Sequence, residues 1–400
     1  MKVLNRQFAG MGFGTPRSGT LLALWVFVTL LIGGASYARQ SAPVYSDSTS
    51  IVVFDPAIHP YSSLRIPALV VSKRGTLLAF AAGRIDSGSD WADMDLVMRR
   101  SEDGGRTWGP LQVVARREGH APTDNPTPIV GADGTIHLVY QRDYARAYHI
   151  RSVDDGKTWS DPTDITYAFD AFLDEYPWKV LAPGPGHSIQ LRSGRLVVPV
   201  WLAASDVVTP HRSHRPSRIA TIYSDDGGTT WKRGALVPDV AGFKNPSETM
   251  AVELADGRVM LNIRNESERR RRGVSYSDDG ISGWTAPTYV DALFEPICMG
   301  SILRVDSPGG DPGLLFVNPD SESIPRHPRA NLTVKWSVDG GKTWPAAQVL
   351  EQGIAGYSDL AVDADGTGYC LYETKQTGSQ KGLSIHLVRF DIQQLRGQER

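Results

Sequence analysis

The chain has 400 residues, 41% of them hydrophobic, which is the composition of a globular protein with ample length to bury a core. Its formal charge of −2 supports no polyanion-binding surface and argues against nucleic acid as a partner. Two cysteines, Cys298 and Cys370, make no disulfide framework; each sits in an apolar strand-like run and is expected as a buried thiol.

The first segment in chain order stands apart from the fold. Lys2, Arg6 and Arg17 precede an apolar run from Leu21 to Ile32, and small residues follow up to Ser36-Tyr37-Ala38. This pattern predicts a signal peptide over residues 1–38, cleaved after Ala38, and an exported mature chain, periplasmic or secreted. An uncleaved membrane anchor is the alternative, for which the apolar run is short.

A repeat dominates the rest. Copies of Ser-x-Asp-x-Gly-x-Thr-Trp begin at Ser101, Ser152, Ser224 and Ser337, and a degraded copy without the Gly and Thr runs from Ser277 to Trp284. A second repeat interleaves with it. Turn signals at Gly75, Gly134, Gly194, Gly257, Gly313 and Gly366, spaced 53 to 63 residues apart, each separate two apolar runs. Six such units predict an all-β chain, a six-bladed β-propeller of four-stranded antiparallel blades. In the first blade the strands are expected near Ala68–Ser72, Thr76–Ala81, Leu96–Arg100 and Leu111–Val114. The sixth unit lacks a box; Leu383–Phe390 supplies its third strand and the early run Ile51–Phe54 the outer strand that closes the ring. Neither a helical period nor a Pro/Ser linker follows the leader, so residues 39–400 are expected as one domain.

Alternating strand directions place the Gly hairpins and box turns on one face of the disc. There a box Ser and Asp can hydrogen-bond the turn while the Trp packs between strands, so the boxes are scaffold. Function is expected on the opposite face. Arg65, Glu248 and Tyr357 precede or start first strands, Arg84, Arg264 and Glu373 end second strands, and Asp90 and Arg329 lie in the loops that follow. Several arginines aimed into one basin suit an anionic group, since Arg meets a carboxylate through paired charge-assisted hydrogen bonds. A Tyr with a Glu offers a hydroxyl and a base to deprotonate it, and a partly buried Asp offers a general acid.

With Arg65-Ile66-Pro67, the repeated boxes, Gly184-Pro185-Gly186-His187-Ser188-Ile189-Gln190-Leu191 and Tyr357-Ser358-Asp359, the whole mature chain resembles the exo-α-sialidase family of retaining glycoside hydrolases. The resemblance implies that Arg65, Arg264 and Arg329 clamp a sialic acid carboxylate, that Tyr357 is the nucleophile and that Glu248 is its base. It further implies Asp90 as acid/base, Glu373 as the group that orients Arg65, and Arg84 as a contact near the sugar 4-hydroxyl. Asp86, Asp93 and Asp95 compete with Asp90, and Glu253 with Glu248. Leu64 and Met299 depart from the family pattern and are expected to alter the shape of the pocket.

The remaining signals are plainer. The run Arg269 to Arg272 after Glu268 is expected to decorate an exposed loop. His187 is expected to satisfy a turn, and the histidines show no metal-ligand spacing, so neither a metal nor an organic cofactor is implied. Sialylated glycans are the expected partners, with no stable protein partner. A glycosidase for a deaminated sialic acid and a non-catalytic glycan-binding propeller are the competing readings.

Overall fold

A computed structural model of the chain describes residues 44–45, 50–306, 312–375 and 382–399. The expected leader and its boundary at residues 38 and 39 lie outside the described residues. The rest is a ring of six sheets whose blade strands pair antiparallel, in the first four blades in sequence order from the axis outward; in the fifth the two-residue strand Val44–Tyr45 adds in parallel to the outer strand. Blade 1 consists of Ser63–Val71, Leu77–Arg84, Met94–Ser101 and Gln112–Ala115, and blade 4 of Thr249–Glu253, Val259–Ile263, Arg271–Ser277 and Thr288–Phe294. Blade 5 consists of Ser301–Val305, Gly313–Pro319, Ala330–Ser337 and Ala346–Ile354. Blade 6 runs Ser358–Val362, Thr367–Thr374 and Ser384–Asp391, and Ile51–Phe54 closes it from the far end of the sequence, with Ile51 opposite Leu387.

The central strands are apolar on both faces because each blade is sandwiched between two others. Every residue of Leu77–Arg84 is buried. Leu69, Leu77 and Ala79 of blade 1 pack with Leu371 and Leu387 of blade 6 in one cluster that spans the closure. Cys298 and Cys370 are free and buried, as expected. Two short helices, Tyr167–Asp170 and Ile392–Arg396, were not anticipated; four or five residues are too few to print a helical period. In blade 3 the inner strand is split into Val180–Pro183 and Ile189–Gln190, both paired with Leu196–Ala203.

The boxes form one turn used five times. In the first, the Ser101 hydroxyl donates to Asp103 Oδ1 (2.8 Å) and accepts the amide of Gly105 (2.9 Å), while Thr107 gives its amide to Oδ1 (2.9 Å) and its hydroxyl to Oδ2 (2.6 Å). The degraded copy keeps this circuit with substitutes. Gly280 supplies the amide at 3.0 Å, and Ser282 stands in for the threonine with its amide at 2.8 Å and its hydroxyl at 2.7 Å.

Near the axis, Asp359 is fully buried and accepts the Leu69 amide (2.8 Å), the His187 amide (2.9 Å) and the Ser301 hydroxyl (2.8 Å), while pairing with His187 Nδ1 at 2.7 Å. One carboxylate thus ties blade 6 to blades 1 and 5 and to the link between the two parts of the blade 3 inner strand. His187 serves this knot, in keeping with its expected structural role.

Candidate active site

The first strand of blade 1 starts five residues earlier than expected because it contains a bulge. Pro67 cannot donate to the ladder, the register shifts between Arg65 and Ala68, and Ile66 adopts a left-handed φ of 58°. The kink turns Arg65 toward the centre and frees the Ile66 amide, which donates to Glu373 Oε1 at 2.9 Å. Glu373 also accepts Arg65 through Nε (3.0 Å) and Nη2 (3.2 Å), and it accepts the Tyr357 amide at 3.1 Å. This approach requires Gly356, where a Cβ would stand 2.3 Å from Glu373 Oε2.

Tyr357 lies just ahead of the first strand of blade 6, its ring enclosed by three guanidinium groups. The Cζ atoms of Arg65, Arg329 and Arg264 lie 5.2, 5.3 and 5.8 Å from its centroid, a cation–π arrangement from three blades. The Tyr357 hydroxyl donates to Glu248 Oε1 and accepts from Arg264 Nη1 at 2.7 Å, and the same Nη1 pairs with Glu248 Oε2. Burial pushes the phenol's pKa far above its ordinary value, and Glu248 adds to that push against the pull of Arg264, Arg329 and Arg65. Arg329 is held from the other side by the Ile297 carbonyl at 2.6 Å.

Asp90 reaches the group from the loop after the second strand of blade 1. Its Oδ1 accepts Arg84 Nη2 at 2.8 Å and lies 3.5 Å from Arg65 Nη1; the carboxylate is half-exposed. Burial works against its ionisation, but Arg84 and Arg65 outweigh it and hold the carboxyl below the usual range. The competing acids go elsewhere. Asp95 is tied to Arg117 and Tyr61, Asp93 to His120, Asp86 has no such contact with the group, and Glu253 accepts the Arg192 amide. Leu64 and Met299 are fully buried in core clusters rather than lining a hollow.

One residue of this constellation escaped the sequence reading. Asp124 is fully buried 3.9 Å from Arg84, and burial raises its carboxyl to about 6 despite that arginine. The signal for it was present. Asp124-Asn125-Pro126 repeats the bulge of Arg65-Ile66-Pro67, with a register shift after Asp124 and a φ of 60° at Asn125. The charged run was misjudged as well: Arg269 is exposed, but Arg272 is wholly buried within a strand and ion-paired to Glu295 at 2.7 Å. Arg269 lies in the turn before the strand, whereas Arg271 and Arg272 open the strand Arg271–Ser277, where neighbouring side chains point to opposite faces and only Arg272 turns into the core.

A hollow of about 130 Å³ is lined by Asp90, Glu248, Arg264 and Tyr357 together with Trp201, His214, Arg215 and Asn245. Arg65, Arg329 and Glu373 border a second, more open depression. Arg84 Nε, Asp124 Oδ2, His214 Nε2 and Arg264 Nε are buried without a hydrogen-bond partner. Among the described residues no group of His, Cys, Asp and Glu is arranged to hold a metal ion.

Comparison with known proteins agrees with this geometry. The BNR repeat-like domain family matches residues 75–370. A sialidase of Micromonospora viridifaciens is 32% identical over 92% of this chain and 57% of its own length, and a Bacteroides fragilis sialidase is matched over 60% of its length, so the chain spans somewhat over half of these bacterial relatives. Sialidase-2 of Cricetulus griseus is 30% identical, over 78% of this chain and 88% of that protein. Among solved structures, Hadza microbial sialidase Hz136 superposes with a TM-score of 0.72 at 27% identity, covering 87% of this chain and 69% of that one. A match that takes in nearly the whole of a relative, on a ring with this arginine-enclosed tyrosine at its centre, means that the chain belongs to the sialidase family.

Proposed function

We propose that the protein is a retaining exo-α-sialidase that removes terminal sialic acids from glycoconjugates. The observation that carries this reading is the Tyr357 hydroxyl, hydrogen-bonded to Glu248 inside a ring of three arginines. A sialoside bears its carboxylate on the anomeric carbon. An anionic nucleophile would approach against like charge, whereas a neutral phenol does not.

In the first displacement the Tyr357 oxygen bonds to the anomeric carbon as its proton passes to Glu248. The bond to the leaving oxygen breaks, and Asp90 protonates that oxygen. In the second, Asp90 removes a proton from water, whose oxygen attacks the same carbon and releases the tyrosine, which recovers its proton from Glu248. Two inversions give net retention. Arg65, Arg264 and Arg329 hold the carboxylate throughout, with Glu373 fixing Arg65. Arg84 and Asp124 form a polar corner suited to a ring hydroxyl.

A phenol is neutral at neutral pH, and Glu248 lies within proton-transfer reach of this one at the moment of attack. Export in mature form, after removal of residues 1–38, is part of the proposal and is tested by N-terminal sequencing of the secreted product. The activity itself is tested with a fluorogenic α-glycoside of N-acetylneuraminic acid beside its deaminated analogue. Release from the first supports the reading, preference for the second moves the substrate to deaminated sialic acids, and release from neither overturns it in favour of a glycan-binding propeller.

A further inference from the structure

Arg272 and Glu295 are both fully buried, and their ion pair (2.7 Å) touches neither Tyr357 nor Asp90. An isolated buried pair of this kind contributes little to stability, because desolvation offsets its attraction and apolar residues of similar size often serve as well. Its hydrogen bonds show where it acts.

Each group reaches two segments. Arg272 donates from Nε to Asn262 Oδ1 (2.8 Å) and from Nη2 to the Asn262 carbonyl (3.3 Å), and Glu295 accepts the Asn265 amide (3.4 Å). Those contacts bracket Arg264 on both sides along the chain. Arg272 also donates from Nη1 to the Cys298 carbonyl (3.1 Å), and Glu295 accepts the Cys298 amide (3.0 Å). Cys298 follows Ile297, whose carbonyl accepts Arg329 Nη2 at 2.6 Å and whose backbone has a φ of 63°, a left-handed conformation that a β-branched residue adopts only when its surroundings impose it.

We infer that the Arg272–Glu295 pair is a positioning device that locks Arg264 and Arg329, from two different blades, into register as one carboxylate clamp. The inference rests on the proposed role of those arginines. Neither Arg272 nor Glu295 touches the substrate; the pair acts through the backbone on either side of Arg264 and through the Ile297 carbonyl. Arg65 is held separately by Glu373, so the clamp has two independent anchors.

The test uses wild type, Arg329→Ala, Glu295→Gln and the apolar double variant Arg272→Met/Glu295→Leu, assayed on an aryl sialoside with melting temperatures recorded. Glu295→Gln keeps the shape and loses the charge and one acceptor. It is expected to fold and to raise KM about tenfold while kcat changes less than about threefold. Adding Arg329→Ala to Glu295→Gln should then cost less than Arg329→Ala costs in wild type, because the second change removes a group already displaced. The double variant should melt close to wild type and show the same KM effect. The inference is overturned if folded Glu295→Gln has wild-type KM, if its effect is additive with that of Arg329→Ala, or if Glu295→Gln does not fold, since the pair would then hold the fold and not the clamp. Absence of hydrolysis by wild type, or an unchanged KM in Arg329→Ala, would instead fault the functional reading.

Discussion

Tyr357 and Glu248, 109 residues apart and carried by blades 6 and 4, meet in a hydrogen bond that the phenol donates and the carboxylate accepts. Arg264 bonds to both oxygens, so the proposed nucleophile and its proposed base share one cation. Such sharing aims the Glu248 oxygen at the phenol proton. Tyr357→Phe is expected to lower kcat on an aryl sialoside by at least about a thousandfold, and Glu248→Gln by about a hundred- to ten-thousandfold. The melting temperature of Tyr357→Phe should stay close to that of wild type, because the ring and its three guanidinium neighbours remain.

Asp90 is ionised in the free protein because Arg84 and Arg65 overcome its burial. A general acid must carry a proton, so turnover of an unactivated sialoside such as sialyl-lactose should fall as pH rises through the value of this group. A substrate carboxylate that neutralises Arg65 removes one of the two cations holding that value down. The falling limb of kcat should therefore lie at higher pH than that of kcat/KM. Arg84→Met removes the nearer cation and should move the kcat/KM limb to higher pH; an unmoved limb would take Asp90 out of the acid role. Asp90→Asn should slow sialyl-lactose far more than an aryl sialoside, whose leaving group needs no proton.

Asp124 has the opposite sign. Its folded-state value of about 6 lies above the ordinary carboxyl value near 4. The folded protein thus binds the proton more tightly, and the stability linked to this group is fully present below about pH 4 and lost as pH rises through about 6. Asp124→Asn should stabilise the protein by up to about 3 kcal/mol at pH 8 and by little at pH 4. Urea unfolding at the two pH values measures the difference.

The box aspartates work the other way. Hydrogen bonds from the Thr158 hydroxyl and amide hold Asp154 down to about 2, so its contribution is present above about pH 4 and is lost as pH falls through about 2. Asp154→Ala should cost about 1 to 2 kcal/mol at neutral pH through its lost hydrogen bonds. Its kcat/KM should match wild type, since the box turn lies on the face away from Tyr357.

The ring was legible because its signals are local and repeated: a glycine turn at Gly75, Gly134, Gly194, Gly257 and Gly366 and a box turn in most blades. The site residues were legible as positions at strand ends, and Arg65, Arg84, Asp90, Glu248, Arg264, Arg329, Tyr357 and Glu373 are joined by the contacts described above. What failed depended on side-chain direction. Arg272 sits in a run of four arginines that looks uniformly solvated, but the strand begins within the run: Arg269 stays in the exposed turn and Arg272 faces the core from the strand's second position. A lone Asp before Asn-Pro carries no local sign of a buried carboxyl, although the same bulge delivers Arg65 one blade earlier.

Closure of blade 6 by Ile51–Phe54 sets the order in which the protein can mature. Glu373, which fixes Arg65, lies in the strand beside the one that receives this early segment, and Arg65 arrives with blade 1. A nascent chain that has made everything through blade 5 therefore holds Glu248, Arg264 and Arg329 but neither Tyr357 nor the seam. On the proposed roles, the site is complete only once synthesis has passed residue 391 and the two ends of the ring have met.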